Sequence, residues 1–223
     1  MISVNIKNET AQLESVVLGT ADSFGGTPKL EDCYDPKSRM FVEKNEFPSQ
    51  SDVSADMESL LSVFNKYNIS VYRPKLIEGL NQIFSRDIGF VIGDTYVYPK
   101  IIENRREELQ AIQHIVDQIK NVVFMPDNAS SEGGDVMPHN EYLFVGYSEE
   151  EDFGKYEVAR TNKAAIDFFS ETFTNCIVKG FELNKSDDNP KDNALHLDCC
   201  FQPIGANSAL IYEAGFKNKE DVD

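Results

Sequence analysis

Carboxylates and one imidazole recur at the entrances of three β-rich runs. Phe84-Ser-Arg-Asp87 precedes the first, Ser131-Glu-Gly-Gly-Asp135 opens the second, and Leu195-His-Leu-Asp198 lies in the third. Brought together, Asp87, Glu132, Asp135, His196 and Asp198 would crowd several acids and one histidine into a single pocket. Like charges that close raise one another's pKa unless a cation lies among them. A guanidinium suits that place, because its planar fork of N–H donors pairs two-pronged with carboxylates. An imidazole beside it can carry protons to and from a reacting amine. Singly, each residue also has an ordinary structural explanation. Asp87 after Arg86 could cap a turn or form a local ion pair. Glu132-Gly-Gly-Asp135 could be only a turn, since glycine adopts positive φ freely. His196, between Leu195 and Leu197, could be a hydrogen-bonded core histidine. It is their phase with a repeat that carries the chemical reading.

The elements around these residues repeat. Residues 13–19 read as a short buried strand, and residues 20–50 as a long irregular excursion rich in Gly, Pro, Asp and Ser. Such a loop could serve as a lid. Ser54 can cap a helix whose apolar face carries Met57, Leu60, Leu61 and Phe64, ending at Asn68 before a strand at 69–72. Then a hairpin (88–92 and 95–98 around Gly93-Asp94), a helix (103–120) and a strand (121–125) follow. The same order returns in a hairpin (134–137 and 142–145), a helix (161–173) and a strand from 176. A third hairpin pairs 195–201 with 209–212 across residues 203–207, and residues 218–223 resemble the first turn of another helix. In the strand expected at 195–201, alternation puts Cys200 on the face of His196 and Asp198, and Cys199 on the other. Asp87 and Asp135 lie 48 residues apart and Asp198 follows 63 later, the excess falling largely in an acidic insertion at 149–157. The unit is strand, strand, helix, strand. Units of this length hide their apolar faces against their neighbours, which implies radial or stacked modules in one domain spanning 1–223.

Composition narrows the function. The chain has 223 residues and a formal charge of −17, so nucleic acid and anionic membranes are poor partners. No apolar run approaches the ~20 residues of a membrane span. The N-terminus lacks an apolar signal core. Cys33, Cys176, Cys199 and Cys200 form no paired spacing, which suits a reduced, cytoplasmic protein. His114, His139 and His196 sit in separate contexts, so neither a metal centre nor another cofactor is expected.

The segments Phe84-Ser-Arg-Asp-Ile-Gly-Phe-Val-Ile-Gly-Asp94, Glu132-Gly-Gly-Asp135 and His196-Leu-Asp198 resemble the motifs of the pentein superfamily. That group includes arginine deiminases, dimethylarginine dimethylaminohydrolases and arginine:glycine amidinotransferases. The run His196-Leu-Asp-Cys-Cys-Phe-Gln-Pro-Ile-Gly205 resembles a bacterial amidinotransferase-type branch, and Arg160-Thr161-Asn162 a short signature after the second hairpin. The resemblance implies an α/β fold, a five-module β/α-propeller of which this chain supplies about three modules. It implies a small cationic guanidino substrate clamped by Asp87 and Asp198, with His196 as general acid and base, Glu132 holding that histidine or the substrate, and Arg160 meeting a substrate carboxylate. It also implies a cysteine thiolate that attacks the guanidinium carbon to give a covalent amidino adduct. In the family that cysteine stands near the C-terminus, beyond Asp223 here. The expectation is therefore an amidinotransferase or arginine-directed hydrolase whose chain alone is nearly inactive. The other reading is a non-catalytic guanidinium-binding or interaction module on a partial propeller. Bare module edges would favour self-association.

Overall fold

Local capping rules explain where the first elements begin. In the computed structural model, which describes residues 1–205 and 207–222, β1 (Ser15–Val17) leads into a segment that is less irregular than its composition suggests. Residues Leu30–Asp32 form a 3-10 turn, and α1 spans Pro36–Glu43. Asp35 caps α1 by accepting from the Lys37 and Ser38 amides at 3.0 and 2.8 Å, and Pro36 at the first position needs no partner for an N–H it lacks. The excursion expected at 20–50 thus contains a capped helix. Its successor α2 (Gln50–Lys66) begins ahead of the expected Ser54, because Ser49 and Asp52 form a reciprocal capping box. Asn68, at φ 58°, turns the chain out of α2 as expected, and β2 (Ser70–Tyr72) runs parallel to β1.

The repeat is explicit in the next two units. Antiparallel β3 (Phe90–Ile92) and β4 (Thr95–Tyr98) turn at Gly93, whose φ of 59° suits a residue without a side chain. A 3-10 turn (Glu103–Arg105) enters α3 (Arg106–Val116), which returns the chain to β5 (Val122–Phe124), parallel to β4. In the second unit β6 (Val136–His139) and β7 (Tyr142–Tyr147) form the hairpin. The short α4 (Glu150–Phe153) occupies the acidic insertion, and α5 (Lys163–Thr172) carries the chain to β8 (Ile177–Glu182), parallel to β7. Asn162 caps α5 through a 3.1 Å bond from the Ala165 amide.

The third hairpin departs from expectation. Leu197–Cys199 is a 3-10 turn, and the strand is only β9 (Phe201–Pro203), antiparallel to β10 (Ala209–Ile211). The final helical turn is a 3-10 turn at Lys219–Asp221. Ala206, in the expected hairpin connection, and Asp223, at the expected helix start, lie outside the described residues.

Apolar packing crosses unit boundaries, as the repeat requires. One cluster joins Ile92 and Val97 to Val136, Leu143, Val145, Ala165 and Phe169 of the following unit. Another joins Met137 and Leu183 to Leu197, Cys200 and Phe216. The segments between units are therefore fixed from both sides, and these carry Asp87, Glu132 and His196. Among the described residues, no helix is long and apolar enough to cross a membrane.

Candidate active site

Two glycines let the three acid-bearing segments meet. A Cβ on Gly133 would lie 2.1 Å from the Arg86 carbonyl oxygen. One on Gly134 would lie 2.8 Å from His196 Cγ and 2.9 Å from Asp87 Oδ1. With no side chain there, the Gly134 amide donates to Asp87 Oδ1 at 3.2 Å. His196 Nε2 lies 3.0 Å from Glu132 Oε2, and its Nδ1 lies 3.8 Å from Asp87 Oδ1. One ligating atom each from Asp87, Glu132 and His196 fall within 4.8 Å of one another, and all three residues are buried. Asp135 also comes inside, but it is occupied with backbone and hydroxyl: Oδ1 accepts the Leu197 amide at 2.9 Å and Oδ2 the Thr161 hydroxyl at 2.7 Å.

A guanidinium already stands among these acids. Arg105 Nη1 donates to Asp87 Oδ2 at 2.6 Å and to Glu132 Oε2 at 3.3 Å. Its Nε and Nη2 grip Glu108 at 2.7 and 2.9 Å in a two-pronged pair, and Nη2 also reaches the Phe84 carbonyl at 3.0 Å. Three carboxylates thus surround one buried cation that belongs to the chain itself, in the forked pairing a guanidinium makes with carboxylates. The spacing of Asp87, Glu132 and His196 would admit a metal ion too, but Arg105 already lies within hydrogen-bond reach of two of them. Sequence reasoning passed over Arg105 and Glu108. Their signal is positional: stepping back along the apolar stripe of Leu109 and Ile112 by four residues lands on both.

Arg160 lies on the other side of Glu132, with Nε 3.6 Å from Glu132 Oε1. Its Nη1 donates to the Glu157 and Ala159 carbonyls, and its buried Nη2 has no hydrogen-bond partner among the described residues. The Tyr34 ring, from the segment between the 3-10 turn and α1, stands over this guanidinium at 5.8 Å. Asp198 sits further out, its Oδ2 3.2 Å from Arg86 Nε and its side chain 27% exposed. The 3-10 turn breaks the alternation that grouped Asp198 and Cys200 with His196. Cys200 packs instead in the apolar cluster with Met137, Leu183 and Phe216, and its thiol donates to the Leu197 carbonyl at 3.4 Å.

The cysteines are poorly suited to attack. Burial, then neighbouring Cys199 and Asp135, push the Cys200 thiol up to about 12. Burial and adjacent Asp198 push Cys199 up to about 11. Cys33 and Cys176 are raised as well, chiefly by burial. A nucleophilic cysteine needs the opposite shift.

The acid and imidazole of the centre hold each other charged. Burial opposes ionisation of Glu132, but the His196 hydrogen bond and charge, with Arg105 and Arg160, outweigh it and bring the carboxyl down to about 2. Burial likewise opposes the imidazolium, yet Glu132, Asp87 and Asp135 raise His196 above its ordinary 6.5. A folded-state histidine pKa above the unfolded one adds stability that is complete below 6.5 and disappears as pH rises through the raised value. Urea unfolding between about pH 5 and 9 is therefore expected to show stability falling on the alkaline side, a slope that His196→Asn removes. Equal slopes in both proteins would refute that coupling.

Comparison with known proteins bears on the family and the fold. Residues 31–222 match the family described as N,N dimethylarginine dimethylhydrolase, eukaryotic. The uncharacterized protein YkgA of Bacillus subtilis (strain 168) is 30% identical over 156 residues, covering 69% of this chain and 48% of that protein. The chain thus spans about half the length of this curated relative. The N-terminal domain of ArgZ, a cyanobacterial arginine dihydrolase solved with bound product, superposes with a TM-score of 0.72 at 17% identity, over 95% of this chain and 70% of that one. SxtG, an amidinotransferase from Microseira wollei, gives 0.68 at 16% identity, over 97% and 71%. The inosamine-phosphate amidinotransferase StrB1 of Streptomyces griseus gives 0.68 at 14% identity, over the same shares. At these identities the likeness is one of fold.

Proposed function

The chain belongs to the N,N dimethylarginine dimethylhydrolase family, within the pentein superfamily of amidinotransferases and deiminases, and on that footing we propose that it binds a small guanidino compound at the Asp87–Glu132–His196 centre. The observation that supports this reading is the burial of Arg105's guanidinium among Asp87, Glu132 and Glu108, in which carboxylates of this centre already hold a group of that chemistry. In the proposed arrangement one domain supplies about three of five propeller modules. Asp87 and Asp198 clamp the substrate guanidinium. Arg160, with its unpartnered Nη2, takes a substrate carboxylate, and the Tyr34 segment closes over it as a lid.

The chemistry proposed is thiolate attack on the guanidinium carbon. His196 gives its proton to the departing amine, then takes one from the water or acceptor amine that releases the amidino group. Glu132 keeps the imidazole oriented and protonated for the first of these transfers. The raised pKa of each of the four cysteines supports a reading in which the thiolate is supplied from elsewhere. Water and an amine both fit as acceptors, in keeping with hydrolases and transferases sharing this fold.

For these 223 residues the reading is a guanidinium-binding unit. Calorimetry with L-arginine and N-methylated arginines is expected to show saturable binding, weakened about tenfold or more by Asp198→Asn. No citrulline or ornithine is expected to form, and Cys200→Ala changes nothing. Absence of binding at millimolar ligand would sink the reading. Turnover abolished by Cys200→Ala would sink the assignment of the nucleophile.

A further inference from the structure

Lysine is among the side chains least often buried, yet Lys185 is buried close behind His196. It follows β8 on a well-fixed stretch: the Asn184 amide donates to the Gly215 carbonyl, and the Ala194 amide to the Asn184 carbonyl, both at 2.9 Å. Its Nζ donates to the carbonyls of Ala194 and Leu195 at 2.7 and 2.8 Å. Burial lowers its pKa, and the ionisable groups that face it are Asp135, Arg160, Cys199 and Cys200.

The Leu195 carbonyl belongs to the peptide plane that enters His196. The Leu197 amide belongs to the plane that leaves it, and Asp135 Oδ1 holds that amide at 2.9 Å. Peptide planes are rigid, so the only soft backbone dihedrals between two held planes are φ and ψ of the residue between them. For His196 these are −135° and 170°. With both planes gripped the direction in which the side chain leaves the backbone is set, and with Gly134 packed against the ring Nε2 lies 3.0 Å from Glu132 Oε2.

We propose that Lys185 is a positioning residue that, paired with Asp135, fixes the backbone on either side of His196 and so aims its imidazole at Glu132. The value of this for proton transfer rests on the guanidino reading above; the aiming itself does not.

Charge and geometry predict opposite signs when Lys185 is removed. Loss of a neighbouring cation would raise the His196 midpoint, whereas loss of alignment with Glu132 would lower it. The experiment is NMR titration of the His196 imidazole in the full chain, comparing wild type with Lys185→Met and Lys185→Arg. In Lys185→Met the midpoint is expected to fall by about one pH unit. Lys185→Arg, which keeps donors for both carbonyls, is expected to recover part of that fall. An unchanged or raised midpoint in folded Lys185→Met would overturn the proposal. Should that variant not fold, Lys185→Gln retains an amide donor and is expected to show a smaller fall. Failure of both to fold would assign Lys185 to folding alone and would equally overturn it. Arginine binding is measured separately, so a protein that binds no guanidino compound but shows the lowered midpoint would fail the functional reading and keep this one.

Discussion

Glutamine in place of Glu132 is expected to destabilise the fold by about 3–5 kcal/mol, the range for breaking a buried ion pair by removing one partner. Glu132 is fully buried and answers three cationic side chains: His196 at 3.0 Å, Arg105 at 3.3 Å and Arg160 at 3.6 Å. The substitution keeps shape and removes charge, so what is left is an excess of buried positive charge. The pH dependence carries the signature. A carboxyl held at about 2 in the fold, against 4.5 unfolded, contributes stability that is present above 4.5 and lost as pH falls toward 2. The variant lacks that contribution, so the difference between the two proteins should shrink steadily through this acid range. Urea titrations at several pH values measure it; a constant gap would disprove the charge argument.

Alanine at Gly134 is expected to disable the centre through one methyl group. Its Cβ would approach His196 Cγ and Cβ and Asp87 Oδ1 at under 3.0 Å, and both side chains are buried with partners of their own. Overpacking of this kind costs typically about 1–3 kcal/mol. The larger effect falls on alignment: pushing the ring off Glu132 should lower the His196 midpoint by about one pH unit. Guanidino binding should fall about tenfold or more, since Asp87 moves with it. Gly205, at φ 76° and, among the described residues, with nothing within 4 Å of its missing Cβ beyond its chain neighbours, provides a control in which backbone strain arises without a clash. If Gly134→Ala left the His196 titration and ligand affinity intact, the close approach described here would be wrong.

Much of this was readable in the chain. The meeting of Asp87, Glu132 and His196 followed from their phase in the repeat, and the two full units fold in the expected order of hairpin, helix and parallel strand. The errors have local physical causes. Alternation failed at residues 195–201 because Asp135 captures the Leu197 amide and the chain coils into a 3-10 turn, a long-range bond that no periodicity encodes. Ser54 was displaced as a cap by Ser49 because a reciprocal box satisfies two amide donors at once. Arg105 went unnoticed because a charged residue at a helix start reads as solvated, and only its continuation of an apolar stripe hints that it points inward. Lys185 carries no such hint; a lone lysine in a polar stretch looks like surface until the fold folds over it.

One balance has a consequence for any ligand. Among the described residues, the buried ionisable side chains include the acids Asp87, Glu108, Glu132 and Asp135 and the bases Arg105, Arg160, Lys185 and His196. When His196 is protonated the positive and negative charges in this set can match, although the surface is strongly anionic. A positively charged guest admitted beside them competes with the histidine's proton for the same negative field. Retention of that proton then falls to the 3.0 Å bond with Glu132, which in the proposed reaction is what leaves it available to a departing amine.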